Sequence, residues 1–210
     1  MTESYVAGSV QVFLDKLAGE SPEPGGGSAA ALAAALGAAL VSMVANLTLG
    51  REKYANVQGQ VADLLASSEG LRQRLEEFVT LDTRAYGAVA VAMKLPRDTE
   101  EQKAERTRVL QVALLGAADV PLRVAEAATE VSRLSRTAAE IGNVNAVSDA
   151  GVAAILADAA AQSAALNVKI NLAWIADEAF RQDAWSRIEK VLAETASLRD
   201  GVLAITYSKI

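Results

Sequence analysis

The sequence predicts an all-α protein, and three observations carry that prediction. Apolar residues recur at intervals of three and four along most of the chain. No segment alternates apolar and polar residues as a half-buried strand does, and two long Ala-rich runs carry almost no charge. A chain of 210 residues can bury one sizeable core, so the expectation is a single domain over 1–210, a bundle of about six long helices.

Val6, Val10, Phe13, Leu14 and Leu17 predict a first amphipathic helix within Tyr5–Leu17, stopped by Gly19, Pro22 and Pro24. The chain then runs through Gly25, Gly26, Gly27 and Ser28 into an Ala-rich stretch with no charge before Arg51. Ser28 reads as the N-cap of a helix over Ala29–Leu49, about 30 Å long. Such a run raises the question of a membrane span. Its Ala and Gly content, Ser42, Asn46 and Thr48, and the lack of flanking aromatic or basic belts point instead to a helix buried on every face.

Val61, Leu64, Leu71, Leu75 and Phe78 predict a helix between Val57 and Leu95, stopped by Pro96. Thr99 followed by Glu100, Glu101 and Gln102 resembles a capping box opening the next helix, which Pro121 should kink or split. Ile141–Asp149 is small, polar and Asn-rich, and Ser148 or Asp149 is placed to cap a helix over Ala150–Ile175. A last helix over Asp177–Ile205 turns Phe180, Trp185, Ile188, Val191, Leu192 and Leu198 inward. Six helices cannot bury both Ala-rich ones on most faces, so a homodimer is expected.

Composition removes several classes of function. With 26 acidic against 20 basic residues, the net charge of −6 argues against a nucleic-acid surface. The absence of cysteine excludes disulfides, thiolate metal sites and thiol nucleophiles. The absence of histidine removes the usual general base and the commonest metal ligand, and no metal site is expected. The N-terminal residues lack the basic-then-apolar pattern of a signal peptide, which points to a cytoplasmic protein.

What remains for chemistry is carboxylates, amides and a few cations. Ser163, Asn167 and Asn171 fall on one helical stripe within an apolar segment. They form either a polar ladder between helices or a row of donors and acceptors lining a slot for a polar heterocycle. Asn46 is similarly placed and is expected to face the same slot. Asp82 and Tyr86 lie one turn apart among Leu, Thr and Ala. A carboxylate in such surroundings holds its proton to higher pH and can carry it near neutrality, although an exposed or salt-bridged Asp82 fits the spacing as well. Arg51 and Lys53, read as lying beside the glycine loop, would bind a carboxylated tail or simply decorate a helix end.

Pro24-Gly25-Gly26-Gly27-Ser28-Ala29-Ala30-Ala31, with Ala39-Leu40-Val41 and Met43–Thr48, closely resembles the cyclodeaminase/cyclohydrolase family. Asp82–Tyr86, Gly142-Asn143 with Asn145, Ser148–Val152, and Asn167-Val168 with Ile170-Asn171 are similar to that family's later motifs. The resemblance implies a dimeric helical enzyme acting on a tetrahydrofolate one-carbon unit, with no metal or organic cofactor. One family activity hydrolyses 5,10-methenyltetrahydrofolate to the 10-formyl form. Another cyclises 5-formiminotetrahydrofolate with loss of ammonia. A folate-binding protein without turnover is the third reading.

On that resemblance Asp82 is expected to carry the proton, with Lys53 as its electrostatic partner or the acid, and Asp149 as the reserve base. Asn46, Asn143, Asn145, Asn167 and Asn171 are expected to orient pterin and one-carbon group, with Ser148 and Tyr86 also in the binding set. The substrate's glutamate tail is expected at the amides of Gly26–Ser28. The turn after Gly50 reads Arg51-Glu52-Lys53-Tyr54 where a lysine-rich turn is the family pattern.

Overall fold

The computed structural model describes residues 5–210, and every regular element among them is helical. Six α-helices follow in order: α1 (Val10–Leu17), α2 (Gly26–Thr48), α3 (Gln58–Met93), α4 (Glu100–Ile141), α5 (Val147–Leu172) and α6 (Glu178–Lys209). Short 3₁₀ turns at Glu52–Val57 and Val144–Ala146 lead into α3 and α5.

The five long helices run alternately up and down. Ser28 meets Asp82 and Ser42 meets Ser68, so α2 and α3 are antiparallel. Ion pairs Glu126–Arg187 and Arg133–Glu194 keep one offset, so α4 and α6 are parallel. Helix α5 packs on α2, α4 and α6. Small residues bring these axes close: a Cβ on Gly37 would stand 3.1 Å from the Ala153 carbonyl oxygen. The core around them is built largely from alanine, including Ala31, Ala34, Ala38, Ala128, Ala157 and Ala161, with Leu75, Phe78, Leu122 and Ile188 filling the wider spaces.

Local signals decide most of the helix ends. Thr99 and Gln102 form the reciprocal capping box of α4, and the Asp177 carboxylate accepts from the Phe180 N–H to start α6. Elsewhere the structure departs from the sequence reading. Helix α1 begins at Val10 under a Ser9 cap and not at Tyr5, because the Ser9 hydroxyl accepts from the Val12 N–H, and only Phe13 is buried. Helix α2 begins at Gly26 with Gly25 as its cap, which puts Ser28 inside the first turn with its hydroxyl turned to α3. Neither Ser148 nor Asp149 caps α5, since the turn over Val144–Ala146 already delivers the chain into the helix. Pro121 does not split α4, which is one continuous helix.

The two Ala-rich helices are not buried on every face. Gly26–Thr48 and Val144–Leu172 are long and apolar enough to cross a membrane by composition, yet 61% and 56% of those windows are buried within the protein. What stays outside is a stripe on each helix. On α2 it carries Leu36, Met43 and Leu47, and on α5 it carries Val152, Ile155, Leu166 and Ile170.

Candidate active site

A cavity of about 340 Å³ opens where the first turn of α2, the second half of α3, the middle of α4 and the last turns of α5 meet. Its volume falls within the ~300–1,000 Å³ typical of small-molecule sites. Asp82 from α3 reaches across to the α2 N-terminus and lies against Gly27, where any side chain would collide with its carboxyl. The Ser28 hydroxyl lies 2.9 Å from Asp82 Oδ2 and 3.1 Å from the Val79 carbonyl oxygen. One hydroxyl proton cannot serve both oxygens. With Asp82 ionised, Ser28 donates to it; with Asp82 protonated, the carboxyl donates to Ser28 and Ser28 donates to Val79. Both protonation states of Asp82 are therefore satisfied without rearrangement.

Burial pushes the Asp82 carboxyl above the usual carboxylate range, and the charge of Glu23 adds to this. Hydrogen bonds from the Ser28 hydroxyl and amide pull the other way. The Ser28 amide in the first turn of α2 thus faces the protein's own carboxyl.

Asn167 and Asn171 line the same cavity from α5, with Tyr86 and Trp174 at its mouth. The Asn167 side-chain amide donates to the Ser163 carbonyl (2.8 Å) and that of Asn171 to the Ala117 carbonyl (2.7 Å). Ser163 itself turns its hydroxyl back onto Ala159, and Lys169 leaves the stripe to lie over the Trp185 ring. Gly25 and Gly26 close the cavity from the side of the loop.

The other residues singled out in the sequence gather at the opposite end of α2, about 35 Å away along a helix of 23 residues. There the Asn143 side-chain amide donates to the Leu47 carbonyl (2.9 Å), and its backbone N–H donates to the Thr48 hydroxyl (2.8 Å). The Tyr54 hydroxyl accepts from the Val144 N–H, and Gln58 ties Gly50, Thr48 and Tyr54 together. Around this frame Asn46, Arg51, Lys53, Asn145 and Ser148 are exposed and Asp149 is half-buried. Lys53 lies over the Tyr54 ring, 5.6 Å from its centre. Among the described residues neither Arg51 nor Lys53 forms an ion pair. Within one chain, then, Lys53 and Asp149 are not beside Asp82, Asn46 does not face the cavity, and Arg51 is remote from the glycine loop. The rigid length of α2 is the reason.

The family model described as formiminotransferase-cyclodeaminase matches residues 9–190. The chain belongs to the formiminotransferase-cyclodeaminase family. Among its relatives, a methenyltetrahydrofolate cyclohydrolase from Methylorubrum extorquens is 44% identical over 202 residues, covering 96% of this chain and 97% of the relative. A formimidoyltransferase-cyclodeaminase from Rattus norvegicus is 35% identical over 192 residues, but this chain spans only 36% of that protein's length. A crystal structure of formiminotetrahydrofolate cyclodeaminase from Thermotoga maritima superposes with a TM-score of 0.86 at 31% identity, covering 95% of this chain and 96% of that one.

Within this family member, the matched region includes both ends of α2 and everything that lines the cavity. Sequence reasoning passed over Glu23, Met93, Leu114 and Trp174, which also line it. Trp174 carries a readable signal: a large aromatic residue just beyond the last helical turn of α5, and 67% exposed. Gln111 on α4 holds that turn, donating from Nε2 to the Trp174 carbonyl (3.0 Å) and accepting at Oε1 from the Ala176 N–H (2.7 Å). No local pattern marks Gln111, because its partners lie more than sixty residues away.

Proposed function

We propose that this chain hydrolyses 5,10-methenyltetrahydrofolate to 10-formyltetrahydrofolate, acting as a soluble cytoplasmic enzyme without a metal or organic cofactor. The observation that carries the chemistry is Asp82, a carboxyl on the cavity wall with a satisfied partner in either protonation state. The choice of hydrolysis is supported by the near full-length similarity to a methenyltetrahydrofolate cyclohydrolase.

In the proposed reaction, ionised Asp82 takes a proton from water as the oxygen bonds to the methenyl carbon. That carbon lies between N5 and N10 and carries the amidinium charge. The adduct is a neutral tetrahedral carbinolamine. Asp82 then returns its proton to N5 as the carbon–N5 bond breaks. The hydroxyl proton leaves to solvent as the formyl C=O forms on N10. The same carboxyl is thus base and then acid, a role worth about 10²–10⁴-fold in rate. Asn167 and Asn171 orient the pterin, and Tyr86 flanks it. Cyclisation of 5-formiminotetrahydrofolate with release of ammonia is the second reading, favoured by the likeness to the Thermotoga maritima cyclodeaminase. It uses the same proton carrier, with N10 in place of water as the attacking atom.

We further propose a homodimer with its two-fold axis crossing α2 near Leu36 and Leu40. The uncovered apolar stripe of α2 runs the whole way between the two clusters of site residues. One end of that stripe is acidic, with Glu23 and Asp82, and the other carries Arg51 and Lys53. A two-fold rotation lays each end on its complement. Arg51 of the partner subunit then meets the substrate's carboxylated tail, and Asn46, Asn143, Asn145, Ser148 and Asp149 of the partner complete the wall around the folate. Lys53 supplies the positive charge beside Asp82.

The test follows the ultraviolet absorbance of the methenyl chromophore. Loss faster than in buffer, unchanged after dialysis against EDTA, supports the cyclohydrolase. Appearance of the chromophore from 5-formiminotetrahydrofolate with ammonia released supports the second reading. Folate binding without either change overturns both.

A further inference from the structure

Pro121 has no N–H, so the carbonyl of Ala117, four residues earlier in α4, lacks the partner that every interior helical carbonyl normally has. Ala117 is buried and lines the cavity. A buried carbonyl left unpaired is costly, and here the missing donor comes from another helix: Asn171 Nδ2 donates to Ala117 O at 2.7 Å. That bond fixes which way the Asn171 amide faces. Only the nitrogen can bond a carbonyl oxygen, so the amide is fixed with Asn171 Oδ1 as a free acceptor, beside the second N–H of the same nitrogen. One turn earlier Asn167 does the same against the Ser163 carbonyl. With Asp82, the polar wall of the cavity carries three acceptors of fixed orientation.

We propose that Pro121 is a positioning residue for substrate recognition. It frees one carbonyl in α4, that carbonyl locks the Asn171 amide, and the locked amide presents an acceptor to the donor edge of the bound heterocycle. For the tetrahydrofolate substrate of the reading above, on which the ligand half of this inference rests, that edge is the 2-amino and N3–H groups of the pterin. The helix defect and the polar stripe on α5 are two parts of one device. In mid-helix a proline disfavours the fold by itself.

A double-mutant cycle separates the device from the function. Asn171→Ala in the otherwise unchanged protein leaves the Ala117 carbonyl unpaired and lowers Tm by a few degrees, ~3–6 °C for a chain of this size. In the Pro121→Ala background a new N–H at position 121 reaches that carbonyl, and the same Asn171→Ala change lowers Tm by less than about 1 °C. Equal losses in both backgrounds overturn the coupling, whatever the protein's substrate. Pro121→Ala alone raises Tm, since an interior proline is removed, while the Kd for tetrahydrofolate, by isothermal titration, rises roughly tenfold, the size of one hydrogen bond. A raised Tm with unchanged Kd refutes the positioning role. Absence of tetrahydrofolate binding by the unmodified protein refutes the folate reading and leaves the cycle to decide the coupling.

Discussion

Gly27→Ala is the sharpest perturbation of the cavity, because its size can be read from distances. A Cβ built on Gly27 stands 2.6 Å from Asp82 Cγ and 2.8 Å from Oδ2, and nearer still to Oδ1. Ordinary contacts of this kind need about 3.4 Å or more, so the carboxyl must retreat by roughly 1 Å. That retreat breaks the 2.9 Å bond with Ser28. Asp82 borders an open cavity and can swing into it, so the helices need not part. The lost bond to a charged group, about 1.5–3 kcal/mol, is offset in part by the better helix propensity of alanine, up to about 1 kcal/mol. A 1 Å misplacement of a catalytic group costs about 10²-fold in rate. The expectation is therefore a ~100-fold fall in kcat with methenyltetrahydrofolate, with circular dichroism unchanged and a shift in Tm of only a few degrees. A kcat within about twofold of the parent protein would refute Asp82 as the proton carrier in this position.

Asp82→Asn should remove turnover and yet stabilise the protein at neutral pH. The folded carboxyl holds its proton to higher pH than the unfolded one, so ionisation weakens the fold progressively from the unfolded pKa upward through the raised folded pKa. Thermal scans at several pH values should show the variant gaining on the parent as pH rises through that window, and a widening deficit would contradict it. Co-expressing Asp82→Asn and Lys53→Ala chains with different tags should restore about a quarter of parental turnover through mixed dimers with one intact site, whereas no recovery would exclude a site shared between subunits. Gln111→Ala releases the Trp174–Ala176 turn at two hydrogen bonds. It should raise KM several-fold with kcat little changed and alter the Trp174 fluorescence. A fall in kcat alone would argue against a role in holding the cavity mouth.

The helices were legible because their evidence is local. Threes-and-fours spacing, the Thr99–Gln102 capping box and the proline stops before α2 and after α3 all act within a few residues, and α2 to α6 fall where those signals put them, apart from the earlier starts of α2 and α5 and the unbroken run of α4 through Pro121. Ser28 has the sequence of a cap but not the role, because its hydroxyl answers to Val79 and Asp82, fifty-one and fifty-four residues away. The uncovered face of α2 was illegible for another reason: an Ala/Leu helix presents nearly the same residue types to core and to solvent, so composition cannot mark Leu36 or Met43 as outside. The cavity residues were legible in pairs, as Asp82 with Tyr86 and Asn167 with Asn171, because one helical turn joins each pair. Their separation from Lys53 and Asn143 was not, since spacing says nothing about which end of a long helix faces which neighbour.

Two opposing effects meet at Asp82, and their balance is what a proton carrier needs. Burial alone would keep the proton on, and the amides of a helix N-terminus alone would strip it off. The structure sets both at once, with burial the larger and the Ser28 hydroxyl and amide opposing it. Ser28→Ala removes one of the opposing bonds while leaving burial unchanged, so the Asp82 carboxyl should hold its proton to still higher pH. Hydrolysis begins with ionised Asp82, so the rising acid limb of the kcat/KM–pH profile must move to higher pH in the variant. The plateau above that limb should fall far less than in Asp82→Asn. A limb that stays in place, or that moves to lower pH, would mean that another group governs the proton transfer.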